Sequence, residues 1–376
     1  MSFSFGFSGD DIDIDTTHDG SVSHEELHPH QQPKPDGKAS AFPVPGKPQL
    51  PPLRHCLKTM LSSMPSKVAY DLLDVPLDSG KTVRLPRREL WDVRVQLMAE
   101  EEDDATNAGE GLGDHDVKTG VYEGGFKSWE SSVDLVKVLA AQSHPASYSN
   151  QSARFIELGC GTALPSLAMF QWVMELQSPM PAQQYSFVLA DYNPSVLQLV
   201  TLPNFILTWA LHSKDNSPDI QEAFSLEDEL ELTPAVLQGF ETYLQTYGID
   251  LSFLSGGWSA EFVQLLYTAT SHQITTSFAP FSISMLLGAE TIYSPFALQA
   301  FTETTLAILK HEKSSFGGQP VACVAAKRLY FGVGGSLDDF VDTMQQRGAN
   351  VTRIREEADG VRRGVVLCTL GSIETT

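Results

Sequence analysis

The sequence predicts an α/β protein built around a mostly parallel sheet with helices on both faces. From about residue 121 onward, short apolar runs alternate with helical patterns, the order that strand–helix–strand units require. In Phe155-Ile156-Glu157-Leu158-Gly159-Cys160-Gly161-Thr162-Ala163-Leu164 an apolar run meets two glycines one residue apart, then a helical pattern. That is a strand, a tight turn and a helix start. The runs 186–191 and 281–290 likewise end in an acid, Asp191 and Glu290, where strands of such sheets open onto a ligand crevice.

The bulk composition bounds the rest. The chain has 376 residues, enough for one large domain or two ordinary ones, and 42% hydrophobic residues, enough for a core. Its net charge of -22 leaves no basic face for nucleic acid and favours basic protein partners through long-range attraction. Acidity also serves solubility alone. Cys56, Cys160, Cys323 and Cys368 form no CxxC pair, so neither a disulfide framework nor a zinc site is expected. No apolar run approaches the roughly 18 residues of a membrane span, and the start lacks a signal peptide's basic and apolar regions. Residence in cytoplasm and nucleus is expected, without membrane or direct nucleic-acid binding.

Residues 1–55 are rich in Asp, His, Pro and Gly and read as a disordered tail. Phe3, Phe5 and Phe7 alternate there, either as a docking strand or as part of a mobile end. His18, His24, His28 and His30 are scattered, and no metal site is expected from them. Residues 56–120 form an N-terminal extension. Its strand-like stretches 68–73 and 82–85 flank the turn Asp78-Ser79-Gly80. Pro86 precedes a helix over 89–100 with Leu90, Val93, Leu97 and Met98 on one face. Residues 100–116 read as a flexible acidic loop.

The main domain is expected over 121–376. Gly124-Gly125 make a turn before the helix 131–141. A helix over 164–176 follows the glycine turn, then the strand 186–191. Residues 194–212 read as a helix broken near Pro203, and about 214–247 as a polar surface insertion with its own helix from Pro234. The strand 251–254 ends in Gly256-Gly257-Trp258. After the strand 281–290 come a helix 296–310, the strand 321–327, a glycine-rich loop 328–335, a helix 337–346 and a closing antiparallel hairpin, 351–355 with 364–370.

Several residues point to chemistry. A phosphate-binding turn offers amides to an anion, and Glu157 would be unhelpful in one. A carboxylate suits a ligand with an amino group and no phosphate beside the turn, such as S-adenosylmethionine. Gly159 and Gly161 would let such a ligand approach the backbone. Asp191 sits where ribose hydroxyls are bound in nucleoside-binding folds. Trp129 and Trp258 either wall the cofactor or pack in the core. Glu290 and Tyr293 follow the strand beside the glycine-turn strand and should face the reaction centre. A buried carboxylate there is costly unless it has a role or a partner.

These stretches resemble the seven-strand S-adenosylmethionine-dependent methyltransferases. More closely, the chain resembles the histidine protein methyltransferase 1 family, which acts on ribosomal protein uL3. The resemblance rests on Gly124-Gly125-Phe126-Lys127-Ser128-Trp129-Glu130, Glu157-Leu158-Gly159-Cys160-Gly161, Ala190-Asp191-Tyr192-Asn193, Thr201-Leu202-Pro203-Asn204, Ser255-Gly256-Gly257-Trp258, Glu290-Thr291-Ile292-Tyr293, and the loop Ala326-Lys327-Arg328-Leu329-Tyr330-Phe331-Gly332-Val333-Gly334-Gly335. Leu85-Pro86-Arg87-Arg88-Glu89-Leu90 resembles that family's N-terminal extension. The resemblance implies a Rossmann-like seven-strand sheet and methyl transfer to the tele nitrogen of a histidine.

It also implies roles. Glu290 or Tyr293 would orient the imidazole as catalytic groups. Glu157 and Gly159 would bind the methionine end and Asp191 the ribose. Gly161, Asn193, Trp129, Trp258 and Glu290 would line the cofactor. Lys327, Arg328, Tyr330, Phe331 and Gly334 would shape the peptide entrance. The rival readings are a protein-lysine methyltransferase of the same fold, a nicotinamide-dependent dehydrogenase, and a non-catalytic acidic scaffold.

Overall fold

The computed structural model describes residues 48–104, 124–148, 151–176, 183–224, 226–268, 281–316 and 318–371. The phenylalanines and histidines of the first 30 residues, most of the acidic loop and Val121–Glu123 lie outside the described residues. Eleven strands are described: β1 (Leu53–His55), β2 (Lys67–Pro76), β3 (Thr82–Arg88), β4 (Ala153–Leu158), β5 (Tyr185–Asp191), β6 (Glu229–Glu231), β7 (Ile249–Ser255), β8 (Ile283–Ala289), β9 (Val321–Lys327), β10 (Ala349–Glu357) and β11 (Arg363–Leu370).

Eight of them form one sheet in the order β1-β7-β5-β4-β8-β9-β11-β10. β7, β5, β4, β8 and β9 run parallel. β11 is antiparallel to β9, and β10 to β11, giving the expected closing hairpin. The order reverses at β4, so the crevice opens at the carboxyl ends of β4, β5 and β8.

Strand period explains the two cores. Phe155, Phe187, Leu189, Phe253 and Leu287 face one side, with Leu135, Leu139, Phe170 and Phe205 from the helices Glu130–Gln142, Leu164–Leu176 and Leu202–Ser213. Ile156, Leu158, Val188, Ala190 and Leu254 face the other, with Phe262, Phe301 and Phe340 from Ala260–Tyr267, Pro295–Phe316 and Leu337–Gln346. β5 is buried along its whole length, as a strand covered on both faces must be.

Four features differ from expectation. The stretch read as a tail to residue 55 contributes β1, which pairs antiparallel with the edge of β7 and makes an eighth strand. A three-residue strand carries too little apolar pattern to be seen locally. β3 runs through Pro86 to Arg88 before the helix Leu90–Asp104 begins. Its sheet order, β3-β2-β6, leaves it at an edge, where a missing N–H is tolerated.

The insertion is structural rather than superficial. Its β6 pairs with β2, Lys67 opposite Glu231, and its helix Pro234–Thr246 buries Phe240 against Trp209 at 5.5 Å. The helix near Pro203 is continuous. Residues Leu197–Thr201 form a π-turn that leads into Leu202–Ser213, and Pro203 sits in that segment's first turn. The wider turn absorbs the proline without a break. The stretch Pro194–Asn216 is long and apolar enough by composition to cross a membrane, but 83% of its apolar window is buried in the protein, as a core helix.

Candidate active site

The glycine turn after β4 is the floor of the crevice. Gly159 and Gly161 have φ of +65° and +51°. A Cβ on Gly159 would sit 2.6 Å from Thr291 Cγ2, and one on Gly161 would sit 3.0 Å from the Gly125 carbonyl oxygen. The protein's own packing therefore demands these glycines, beyond any approach of a ligand. Ala163, two residues beyond Gly161, is buried with φ of +57°, a conformation that costs an alanine roughly 1–2 kcal/mol. Strain of this kind persists where the surroundings over-determine the backbone.

Those surroundings are visible. Thr201 Oγ1 donates to the Gly161 carbonyl at 2.7 Å, and Asn204 Nδ2 donates to the Thr162 carbonyl at 3.0 Å. The Arg88 N–H in turn donates to Asn204 Oδ1 at 2.8 Å, while its guanidinium reaches the Leu199 carbonyl and Asp92. The motif Thr201-Leu202-Pro203-Asn204 thus braces the turn, and the N-terminal extension braces the motif.

Two acids lie beside the turn. Glu157 is buried, and its Oε2 accepts from the Ser166 N–H at 3.0 Å and from the Ser166 hydroxyl. Burial pushes its carboxyl up to about 8, the Ser166 hydrogen bonds oppose this, and Asp191 adds to the rise. Asp191 closes β5. It accepts from the Gly161 N–H at 3.0 Å and from the Asn193 N–H at 3.1 Å, so it ties the turn to the second strand's end.

The third acid follows β8. Glu290 has φ of +58°, and its N–H donates to the Ala325 carbonyl at 3.0 Å. Oε1 accepts from the Ser131 hydroxyl and Oε2 from the Tyr330 hydroxyl. Burial raises the carboxyl above the usual range, while Ser131, Tyr330, Lys327 and Arg363 pull it back. Arg363 also donates to Asp134 at 2.7 Å and to Glu130 at 2.8 Å, which pins the helix bearing Ser131 to β11. Lys327 Nζ lies 5.4 Å from the Trp129 ring centre and 5.8 Å from that of Tyr330.

Trp129 is 43% exposed at its helix start, so it does not fill the core. Trp258 is half-buried, packs edge-on against Phe301 at 5.5 Å, and approaches the Gly159 turn. Tyr293 is half-buried as well. Burial pushes its phenol up to about 12, with Asp191 and Tyr192 adding to the effect.

Trp129, Glu290, Lys327 and Tyr330 therefore form one contact network. Glu157, Gly161, Asp191 and Asn193 form a second around the turn, and Tyr293 lies close enough to feel Asp191. Four of the residues expected at the peptide entrance have contacts of their own. Tyr330 is buried with its hydroxyl on Glu290. Arg328 is committed to Asp338 at 2.9 Å. Phe331 is 81% exposed, and Gly334, with φ of +84° against Pro295, donates its N–H to the Tyr330 carbonyl at 3.2 Å.

Sequence reading missed Ser131, Arg363 and Ser166, for which short-range pattern holds no signal. It also missed residues 49–52, which cross the end of β7. Gly257 N–H donates to the Leu50 carbonyl at 2.8 Å, and Leu50 N–H donates to the Tyr192 hydroxyl at 2.8 Å.

S-adenosylmethionine fits these residues. Gln49 Nε2, Trp258 Nε1 and Thr291 Oγ1 are buried without a partner around the crevice. Buried donors in that state need an acceptor. Asp191 and Glu157 offer carboxylates where the ribose and the amino end would lie. Among the described residues no group of three or more His, Cys, Asp or Glu could hold a metal.

No protein-family model matches the chain. The chain is similar to "Histidine protein methyltransferase 1" of Saccharomyces cerevisiae, 33% identical over 364 residues, covering 90% of this chain and 89% of the relative. It is similar to the Schizosaccharomyces pombe protein of the same name at 34% identity over 291 residues, 76% of this chain and 75% of that one. Among solved structures, magnesium protoporphyrin IX methyltransferase from Synechocystis PCC 6803 with bound SAH aligns at a TM-score of 0.31 and 10% identity, covering 74% of this chain and 100% of that one. A likeness that distant bears no weight, and the fold rests on the strand order above. By the extent and level of its identity with the two yeast proteins, the chain belongs to the histidine protein methyltransferase 1 family.

Proposed function

We propose that this chain methylates the tele nitrogen of a histidine in ribosomal protein uL3, in the cytoplasm and nucleus. Membership of the family supports S-adenosylmethionine-dependent protein-histidine methylation and favours histidine over lysine as acceptor. The net charge of -22 supports a basic protein as partner.

The observation that carries the reading is Glu290, ordered on both oxygens by Ser131 and Tyr330 at the sheet's switch point, beside exposed Trp129. S-adenosylmethionine supplies, when bound, a methyl group made electrophilic by its sulfonium. Glu157 and Gly159 would hold the methionine end, Asp191 the ribose, and Trp129 and Trp258 would flank the rest. Glu290 accepts the N–H of the acceptor imidazole at Nδ1, which selects the tautomer whose Nε2 lone pair is free. Each of its oxygens retains a lone pair after binding Ser131 or Tyr330. Glu290 then stabilises the positive charge that the ring gains, and takes the Nδ1 proton as the ring returns to neutrality. Positioning of this kind lowers a barrier by several kcal/mol.

The test uses methyl-labelled S-adenosylmethionine, the purified chain, and ribosomal extract from cells lacking it. Mass spectrometry should find the label on a uL3 histidine, as the tele isomer. Label on another protein, on lysine, or on the other ring nitrogen would overturn the corresponding part of the reading.

A further inference from the structure

We infer that Gln49 is an adenine-binding residue: its side-chain amide donates a hydrogen bond to a ring nitrogen of the cofactor's base. The strand order sets the frame. Resting on the cofactor placement proposed above, Asp191, at the end of β5, marks the ribose, with the glycine turn of β4 on one side of it and β7 on the other. The amino-acid end belongs at the turn, so the base belongs over the end of β7, at Ser255-Gly256-Gly257-Trp258.

Residues 49–52 are built into that end. β1 pairs with β7, Leu53 opposite Ser255. Leu50 is held between the Gly257 N–H and the Tyr192 hydroxyl, each at 2.8 Å. A Cβ on Gly256 would lie 2.3 Å from the Pro51 carbonyl oxygen, so only glycine lets the segment cross. A Cβ on Gly257 would lie 3.0 Å from Gln49 Oε1, which puts the Gln49 amide directly over this turn. Its Nε2 is buried and has no partner. A buried amide N–H left unpaired is costly, and the base offers acceptors at N1, N3 and N7. A glutamine set to donate there also rejects a base that lacks the matching acceptor.

Calorimetry on the full-length chain tests this with S-adenosylhomocysteine and its 1-deaza, 3-deaza and 7-deaza analogues, independently of any protein substrate. Gln49→Leu keeps the shape without the amide, and Gln49→Glu keeps an acceptor without the donor. Both should weaken S-adenosylhomocysteine binding at least tenfold while the melting temperature of the free protein stays within a degree or two. One deaza analogue should bind the unmodified protein about tenfold more weakly, with no further loss in Gln49→Leu, because a single hydrogen bond is removed from either side. If both variants bind within twofold of the unmodified protein, or if variant and analogue losses multiply for every analogue, the assignment is wrong. Should Gln49→Leu melt early, Gln49→Glu and the analogue series on the unmodified protein decide it.

Discussion

Glu290 sits where burial opposes its charge, and four neighbours partly offset that. Glu290→Ala should abolish turnover while calorimetric affinity for S-adenosylhomocysteine stays nearly unchanged. Tyr330→Phe removes one charge-assisted hydrogen bond, worth roughly 1.5–3 kcal/mol, so kcat should fall tenfold or more. The same change removes an influence that holds the carboxyl down. Glu290 then stays protonated to higher pH, and the acidic limb of the kcat profile should move upward. An unshifted limb would separate Tyr330 from the carboxyl's ionisation. Asp191→Ala should weaken S-adenosylhomocysteine binding by roughly 1–3 kcal/mol, since the variant loses a ribose partner and a tie on the turn.

Glu157 supplies a pH argument with a definite sign. Burial raises its carboxyl to about 8, well above the ordinary value of 4.5. Between those values the folded protein holds a proton that the unfolded chain releases, so free-protein stability from this group falls as pH rises through that window. A cationic amino group placed beside Glu157 favours its ionised form. Cofactor binding at pH 7 should therefore release a proton. Binding enthalpies measured in buffers of different ionisation enthalpy will show it, and no buffer dependence would place the amino group elsewhere.

At the level of elements, the brace behind the glycine turn is the testable unit. Asn204→Ala removes the donor to the Thr162 carbonyl and the acceptor for Arg88 N–H. It leaves buried groups unpaired, at roughly 1–3 kcal/mol each. Thermal melts should drop, and S-adenosylhomocysteine affinity should drop with them; a loss of stability alone would make the brace merely structural. Most of the sheet was legible because parallel strands are short apolar runs bounded by turns. The runs ending at Asp191 and Lys327 and the helix 337–346 stand where pattern puts them. What pattern could not show is pairing. β6 is three residues long and polar at both ends, so nothing local reveals that β2 needs it. Ser131, Ser166 and Arg363 are ordinary in sequence and acquire meaning only through partners far along the chain.

For the molecule as a whole, the insertion should prove indispensable. Phe240 is fully buried, and Phe240→Ala should cost roughly 3–5 kcal/mol of stability by leaving a cavity. The acidic surface sets a kinetic expectation: kcat/KM towards a basic protein substrate should fall as salt rises from low ionic strength, while S-adenosylhomocysteine affinity changes little. The crevice was readable in outline because its three acids end three apolar strands. Its outer wall was not, since residues 49–55 have a tail's composition and gain order only by lying on β7.

That short first strand has a consequence for handling the protein. It covers the amide and carbonyl groups of Phe253–Ser255, which would otherwise lie bare at the margin of an apolar sheet. A chain begun at residue 56 would leave those groups open to the same row on another molecule. Such a truncated form should self-associate in sedimentation at concentrations where the intact chain does not.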